Sequence, residues 1–570
     1  MRNTKKNIHK INNKTSNKTS NMNKNNLKML NNIITVSRSI NTIPTSKNII
    51  IPILLSQIKT KSLFTIVGKC LNYPISQKYE EIFHDIEKNF KNKKLNMTLT
   101  TIPIPEDKTK SKSKSKKKHT KKNTNNNNTN KAISQLLLIA IDDTEYDSRE
   151  HHKYDDLELC RITGNALFKS LKQFNIEKAT LVDTLSKTQL LCLLEGLLLS
   201  SYQFRNYKTN KSLDKEKYNL EKLYLISGDV VNNDIESLLI QIDSVFLSRN
   251  LVNEPANAAK ANRFITMMNQ YIKEYNIPVE VDIMNKSDLE KLGMGLILAV
   301  GRGSNKDNEP CVVIVKYKGS GDDSRKDYKP EYILLGKGIT FDTGGLDVKG
   351  GKSMYEMKTD LAGAATVISF LLGYARRGGN KSVFAVCPFA ENSIGPNSVK
   401  PSDVVKAYDG RTVEIADTDA EGRLVLADCL AYVVEKYPAA TIIDFATLTG
   451  QQEALSCKMF SNVLSVNSDV EVKKLVESGN KINELLVELP MMEKYKKNLE
   501  SYVADIKNIP FNCSAGIIMS ALFMRQFLKK DTKWIHIDIA GPSYRAENII
   551  KYSSPEASGV GVRLLFEYLG

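Results

Sequence analysis

EYILLGKGITFDTGG, residues 331–345, carries the clearest signal of the chain's architecture. Its apolar start predicts a buried strand, and the glycines that follow predict a tight turn bearing Lys337 and Asp342. Similar patterns lie on both sides of it. Strands are predicted at 310–317, 382–389, 440–448 and 534–541, and helices at 361–376, 423–436 and from about 559. This alternation indicates an α/β domain, which we place at residues 258–570.

The same alternation predicts a smaller N-terminal α/β domain at residues 34–240. Its strands are predicted at 48–55, 63–67, 135–141, 178–182 and 222–228, and its helices at 156–174 and 187–203. A helical stretch follows and ends near Asn253-Glu254-Pro255, because proline lacks the amide proton that a helix needs. We therefore predict a connecting helix at 241–257.

The net charge of +17 comes from the N-terminal part of the chain. Residues 1–131 hold 28 Lys and Arg against 6 Asp and Glu, whereas the rest holds 53 against 58 and is slightly acidic. The composition predicts a disordered Asn/Lys-rich extension at 1–33 and a basic insertion loop at 106–131. The extension is either an organelle-targeting peptide or a solvated tail. Nucleic-acid binding is an alternative role, although the lysine run at 108–122 lacks interleaved aromatic residues.

The cysteines, histidines and apolar runs exclude several classes of protein. The richest apolar run, 190–199, is broken by Glu195 and is shorter than the roughly 18 residues of a membrane span. Eight scattered cysteines without a CxxC pair argue against disulfides and for a reducing, cytoplasmic environment. Only His536 lies beyond residue 152, which excludes a histidine-based zinc site from the larger domain. His536 alternates with apolar residues and is expected to be a core residue.

Carboxylates and lysines remain as the residues that could carry chemistry in the larger domain. They lie in three segments: GKGITFDTGG with Lys349 just beyond it (336–349), MKTD (357–360) and ADTDAEGRLVLAD (416–428). Taken singly, these segments could be a tight turn, a helix cap at Asp360 and a solvated loop. The first segment lacks the GxxxxGK[ST] order of a P-loop, so nucleotide binding is not expected.

Taken together, the three segments suit two divalent cations. In an extended segment, the spacing of two would place Asp419, Glu421 and Arg423 on one face. Carboxylates can bridge two metal ions about 3.5–4 Å apart, an arrangement that clamps a nucleophile and a carbonyl oxygen.

These three segments resemble the signatures of the leucine aminopeptidase (cytosol aminopeptidase) family of dinuclear-zinc exopeptidases. Further segments carry the resemblance: EGLLLSSYQFRNYK (195–208), LVNEPAN (251–257), AENSIGPNSVKPSDVV (390–405), ATLTG (446–450) and WIHIDIAGP (534–542). The resemblance spans about residues 190–570. It implies a catalytic C-terminal domain built on a central mixed sheet flanked by helices.

The resemblance also implies two sets of metal ligands. The tightly held ion would take Lys337, Asp342, Asp360 and Glu421, and the more exchangeable ion would take Asp342, Asp419 and Glu421. Zinc is the expected metal, with Mn, Co or Mg as alternatives at the exchangeable site. Lys337 must be neutral to donate a lone pair, and two nearby dications would lower its pKa enough.

Two basic residues are implied to act in catalysis. Lys349 would stabilise the oxyanion of the tetrahedral intermediate. Arg423 would help to hold a bicarbonate ion that serves as the general base. The residues implied to surround the bicarbonate are Ala420, Gly422, Arg423 and Leu448.

The substrate and the assembly follow from the same resemblance. A pocket for the first side chain would be lined by Met357, Thr447, Gly450 and Ala557. Its apolar character favours Leu-like N-terminal residues of short peptides. The family implies a homohexamer, a dimer of trimers, with no membrane association.

Three positions near the motifs depart from the common family pattern or add charge. Asp417 stands where the family usually has Asn, and it either alters metal binding or lies in the hydrogen-bonded surroundings of the ligands. Asp347 is a candidate partner of Lys349. Ser514-Ala515-Gly516 replaces a Gly-Gly pair in a late loop.

Overall fold

The computed structural model describes residues 33–37, 48–54, 80–91, 97–103, 133–141, 155–209, 218–320 and 329–570. Three predicted features lie outside the described residues: nearly all of the extension at 1–33, the strand at 63–67 and the insertion loop at 106–131. The described residues form two compact units. The first runs to Glu236, except that Tyr202–Arg205 group with the second unit, Ser237–Gly570.

The first unit is built on a six-stranded sheet. In spatial order its strands are β1 (Ile34–Ser37), β6 (Lys222–Ile226), β5 (Lys178–Val182), β2 (Asn48–Leu54), β4 (Ile133–Ile141) and β3 (Met97–Pro103). All neighbours pair parallel except β3 with β4. Its helices are α1 (Glu80–Lys91), α2 (Asp155–Gln173) and α3 (Lys187–Ser200). Helices α2 and α3 approach closely because Gly164 and Gly196 leave room for the facing backbone.

The second unit is built on a mixed nine-stranded sheet. Along one path the strands are β16 (Leu485–Glu488), β15 (Phe460–Val466), β18 (Lys533–Asp538), β14 (Thr441–Ala446), β9 (Tyr332–Gly336), β11 (Val383–Asn392), β8 (Cys311–Tyr317) and β7 (Glu280–Met284). β10 (Gly338–Asp342) pairs with β11 off this path. A separate three-stranded sheet contains β12 (Val404–Lys406), β13 (Thr412–Glu414) and β17 (Ile506–Lys507). The prediction of a mixed sheet is confirmed.

Helices cover this sheet and close its core. They are α4 (Asn232–Asn253), α5 (Ala261–Tyr275), α6 (Lys286–Leu292), α7 (Gly295–Gly301), α8 (Gly351–Glu356), α9 (Ala362–Arg376), α10 (Gly422–Lys436), α11 (Gly450–Ser456), α12 (Asp469–Ile482), α13 (Gly516–Arg525) and α14 (Val562–Leu569). Of the connecting helix predicted at 241–257, residues 241–253 lie in α4, which begins at Asn232 and ends two residues before Pro255, and residues 254–257 are not helical. Helices α9 and α10 pack against the central strands with almost wholly buried side chains.

The parallel core of the sheet determines where side chains can meet. Strands β9, β14 and β18 run parallel, so their carboxyl ends lie at one edge. Lys337 follows β9, Thr447 follows β14 and Asp538 ends β18. In sheets of this kind, ligands bind at the carboxyl ends of the strands.

Candidate active site

Lys337 lies at the centre of a buried ion-pair cluster. Its ammonium nitrogen is 2.8 Å from Oδ1 of Asp360 and 2.9 Å from Oε1 of Glu421. It also donates a hydrogen bond of 2.9 Å to the main-chain oxygen of Thr447. Burial lowers the pKa of Lys337, but the two carboxylates outweigh this effect and raise the pKa above its ordinary value.

Lys349 forms a second cluster with the remaining carboxylates. Its Nζ lies 2.8 Å from Oδ2 of Asp342 and 2.5 Å from Oδ1 of Asp419. Burial opposes the charged form, yet the adjacent carboxylates raise the pKa of Lys349 above its ordinary value. The ion pairs with Asp342 and Asp419 therefore favour the cationic form of Lys349.

The carboxylates of the two clusters converge on one another. Asp342, Asp419 and Glu421 each offer an oxygen, and these oxygens lie within 4.8 Å of one another. Within the described part of the chain, Oδ2 of Asp360 and Oε2 of Glu421 are buried without a hydrogen-bond donor. Burial raises the pKa of Asp419 to about 7 and also raises the pKa of Asp342 and Asp360.

This arrangement fits divalent cations. Four carboxylates against two ammonium groups leave a formal charge of −2. Buried, unpartnered carboxylate oxygens are costly unless a cation compensates them. Oxygen-rich, histidine-free donor sets suit hard or borderline divalent ions.

Two local expectations from the sequence are wrong. Asp360 does not cap α9, because its side chain is held by Lys337 and by a 2.8 Å hydrogen bond from Oγ1 of Thr447. Residues 416–421 are not an extended segment either. Glu421 has helical φ and ψ, and α10 begins at Gly422, so contacts across the loop rather than strand geometry bring Asp419 and Glu421 together.

Residues 246–566 match the catalytic domain of the cytosol aminopeptidase family. The chain belongs to this family. A probable cytosol aminopeptidase of Phytoplasma australiense is 37% identical over 71% of this chain and 80% of its own length. That of Protochlamydia amoebophila is 36% identical over 71% and 79%.

A solved structure agrees in fold. The bottromycin maturation enzyme BotP in complex with Mn has a TM-score of 0.69 and 21% identity, covering 92% of this chain and 99% of that one. The family membership identifies the chain as a metal-dependent aminopeptidase. Among the described residues of this aminopeptidase, no helix has the length and apolar character needed to cross a membrane.

Polar side chains from within and outside the loop 416–421 of the aminopeptidase hold it in place. The side chain of Asp417 accepts a 2.7 Å hydrogen bond from the main-chain N–H of Asp419. Asp347 accepts hydrogen bonds from the main-chain N–H and the hydroxyl of Thr418, at 2.7 Å and 3.1 Å. The expected pairing of Asp347 with Lys349 is therefore wrong, because Lys349 pairs with Asp342 and Asp419 instead.

Arg423 lies in the first turn of α10 and is buried. Its Nη1 donates to the main-chain oxygen of Asn508 at 3.0 Å, while Nε is buried without an acceptor among the described residues. Burial lowers the pKa of Arg423 to about 10, which still leaves it charged at neutral pH. Of its predicted neighbours, Leu448 uses its N–H to donate to Asp538 at 3.2 Å. Ala420 is buried, and Gly422 packs against Lys337.

The predicted pocket residues lie on segments that contact the predicted metal ligands or each other. Met357 begins the turn that ends at Asp360, and Thr447 donates to Asp360. Ala557 follows Glu556, which accepts a hydrogen bond from Lys358 next to Met357, at 3.0 Å. Gly450 begins α11, and a Cβ there would meet no described atom within 4 Å beyond its chain neighbours.

Several residues that support this site were not among the site residues predicted from the sequence motifs. Asn392 donates through its side-chain amide to Oδ1 of Asp342 at 2.8 Å and to the main-chain oxygen of Thr418 at 3.0 Å. Asp538 accepts from Leu448 and, at 2.7 Å, from the hydroxyl of Thr449. Asn392 and Asp538 lie within segments that carry the family resemblance, which was the one available signal for them. Asn508 lies in no such segment.

Proposed function

We propose that this metal-dependent aminopeptidase removes Leu-like N-terminal residues from short peptides with two divalent ions and a bicarbonate ion at its site. The observation that carries the proposal is the convergence of Lys337, Lys349 and four carboxylates at the carboxyl ends of parallel strands. A purely structural ion-pair cluster would not need unpartnered, buried carboxylate oxygens.

The proposed ligands divide into two overlapping sets. Lys337, Asp342, Asp360 and Glu421 would hold one ion, and Asp342, Asp419 and Glu421 the other. Bound ions there would supply Lewis acidity and would lower the pKa of water into the physiological range. Zn is the proposed metal, with Mn, Co or Mg as alternatives at the second set. Lys337 has to lose its proton to act as a ligand, because an ammonium group has no lone pair.

Lys349 and Arg423 are the proposed catalytic residues. Lys349 keeps its charge between Asp342 and Asp419, so it can stabilise negative charge that develops on a peptide carbonyl oxygen. The Nε of Arg423, which has no acceptor within the described part of the chain, supports an anion beside the first turn of α10. We assign that anion as bicarbonate, which supplies a general base to a domain whose one histidine is occupied elsewhere.

The substrate preference and the assembly are part of the same proposal. Met357, Thr447, Gly450 and Ala557 would form an apolar pocket that discriminates modestly, by about 1–3 kcal/mol per methylene. A homohexamer would restrict access to short peptides, and its subunits weigh 63.9 kDa each. Sedimentation analysis distinguishes this assembly from a monomer. We also propose a cytoplasmic location, supported by the scattered cysteines.

The proposal is tested by hydrolysis of a leucyl-aminocoumarin substrate. The protein is stripped of metal and then resupplied with Zn or Mn, in bicarbonate-free buffer and with bicarbonate added. Asp419→Ala is expected to lower kcat/KM by about 100-fold or more, since it removes a ligand. Asp505→Ala is the matched control, because this exposed carboxylate accepts from the N–H of Thr412 outside the cluster.

Each outcome decides a separate part of the proposal. Metal-dependent release of the fluorophore that is lost in Asp419→Ala supports the two-metal site. Equal rates with leucyl, alanyl and glutamyl substrates would reject the Leu-like preference. Unchanged rates without bicarbonate, at full metal loading, would reject bicarbonate as the base. A folded, metal-loaded protein that hydrolyses no aminoacyl substrate would reject the peptidase reaction.

A further inference from the structure

Asn508 is buried beside the loop 416–421 that carries two of the proposed metal ligands. Its fractional exposure is 0%. It directly follows β17, which pairs with β13 at Val413 and Glu414, and its main-chain N–H donates to the oxygen of Glu414 at 3.1 Å. The three-stranded sheet therefore places Asn508 against the start of the loop.

The side-chain amide of Asn508 binds the main chain of the loop on both sides of Asp419. Its oxygen accepts from the N–H groups of Ala416 at 2.8 Å and Asp417 at 3.3 Å. Its nitrogen donates to the main-chain oxygens of Asp417 at 2.6 Å and Ala420 at 3.5 Å. A side-chain amide carries a hydrogen-bond acceptor and a hydrogen-bond donor on adjacent atoms. A carboxylate or an alkyl group could therefore not make this set of hydrogen bonds.

The main chain of Asn508 connects the loop to Arg423. Its carbonyl oxygen accepts the 3.0 Å hydrogen bond from Nη1 of Arg423. This hydrogen bond orients the guanidinium group while leaving Nε without an acceptor among the described residues. One buried residue thus sets the positions of both the ligand loop and the proposed anion-binding side chain.

We propose that Asn508 is a positioning residue that holds the loop 416–421 in the conformation required for metal binding at Asp419 and Glu421. Its relevance to peptide hydrolysis rests on the proposed function. Groups that orient metal ligands from outside typically change metal affinity by about 10- to 100-fold when they are removed. Misplacement of a catalytic group by about 1 Å can lower a rate by about 100-fold.

The test uses the full chain with Asn508→Ala and Asn508→Asp. Asn508→Asp keeps the size and the accepting oxygen but replaces the donating nitrogen, so it separates hydrogen bonding from packing. Asn467→Ala is the matched control. Asn467 also donates from its amide to two main-chain oxygens, those of Lys530 and Thr532, but it lies at the opposite end of β15 from the site.

Manganese affinity of the metal-stripped protein is measured by calorimetry, and kcat and KM are measured over a range of Mn concentrations. Both Asn508 variants are expected to bind Mn about 10- to 100-fold more weakly than the wild type. Excess Mn should restore part of kcat with little change in KM, whereas Asn467→Ala should match the wild type in all three quantities.

The result that would overturn the proposal is a folded Asn508→Asp protein whose Mn affinity lies within about threefold of the wild type. If Asn508→Ala does not fold, Asn508→Asp decides the question. A wild-type protein that binds Mn but hydrolyses no aminoacyl substrate would reject the proposed function. The comparison of Mn affinities would still test the positioning role of Asn508.

Discussion

Replacement of Gly422 by alanine should displace Lys337. A Cβ at Gly422 would lie 2.6 Å from Cε and 2.7 Å from Nζ of Lys337, and 2.9 Å from Cδ1 of Leu448. Ordinary contacts of a Cβ begin at 3.4 Å, so Lys337 would have to shift by about 0.8 Å. Lys337 is 3% exposed and makes three close polar contacts, so such a shift breaks or lengthens several of them.

The structure sets the expected size of the effect. Overpacking of this kind costs about 1–3 kcal/mol in the free energy of unfolding, partly offset by the greater helix propensity of alanine. The displaced Lys337 should lower kcat/KM by about 100-fold, which corresponds to about 2.7 kcal/mol in the activation free energy.

The assay is hydrolysis of the leucyl-aminocoumarin substrate at saturating Mn, together with chemical unfolding. Gly351→Ala is the matched control, because Gly351 also begins a helix and a Cβ there meets no atom within 4 Å. Its free energy of unfolding should stay within about 0.5 kcal/mol of the wild type. A Gly422→Ala protein with kcat/KM within about threefold of the wild type would refute the proposed role of Lys337 as a rigidly held metal ligand.

Two further predictions concern the carboxylates of Asp417 and Asp444. The Asp417→Asn variant keeps the oxygen that accepts from the N–H of Asp419, so its kcat/KM should stay within about threefold of the wild type. The Asp417→Ala variant lacks this oxygen and should lower kcat/KM about 10-fold in the same assay. Equal activities of the two variants would contradict this. Asp444 binds Nδ1 of His536 at 2.6 Å and Nε1 of Trp534 at 2.7 Å; burial lowers the pKa of His536, but Asp444 outweighs it and raises the pKa. The ion pair therefore stabilises the fold fully below the ordinary pKa of histidine and progressively less as pH rises through the raised pKa. The Asp444→Asn variant should lose about 3–5 kcal/mol of the free energy of unfolding at pH 6. Its free energy of unfolding should also decline less than that of the wild type from pH 6 to pH 9. Parallel stability curves for wild type and variant, measured by urea unfolding, would show that this pair is not the source of the pH dependence.

Local patterns were sufficient for several central elements of the second unit. The apolar run at 331–336 is β9 within one residue, and the helix predicted at 423–436 is α10 from Gly422. Gly344 and Gly345 have positive φ, as the predicted turn requires. His536 is a fully buried core residue, as expected from its apolar neighbours.

Local patterns failed where a side chain has a distant partner. A carboxylate before a helix usually caps it, but Asp360 instead contacts Lys337 and Thr447, which follow strands β9 and β14. The spacing of Asp419 and Glu421 is compatible with an extended segment, yet hydrogen bonds from loop N–H groups to side-chain oxygens of Asn508 and Asp347 hold this loop in turns. Patterns that consider only neighbouring residues cannot indicate these partners, because all of them lie far away in the sequence.

The sequence by itself determined the kind of chemistry and the segments that carry it, because the lysines, carboxylates and glycines occur in ordered motifs and no histidine competes with them. The tertiary structure decided which lysine meets which carboxylate and which residues support them. Strand β9 lies between β14 and β11, so Lys337 reaches the main chain after β14, about a hundred residues further along. Such pairings depend on the order and register of strands, which arise from the packing of the whole unit.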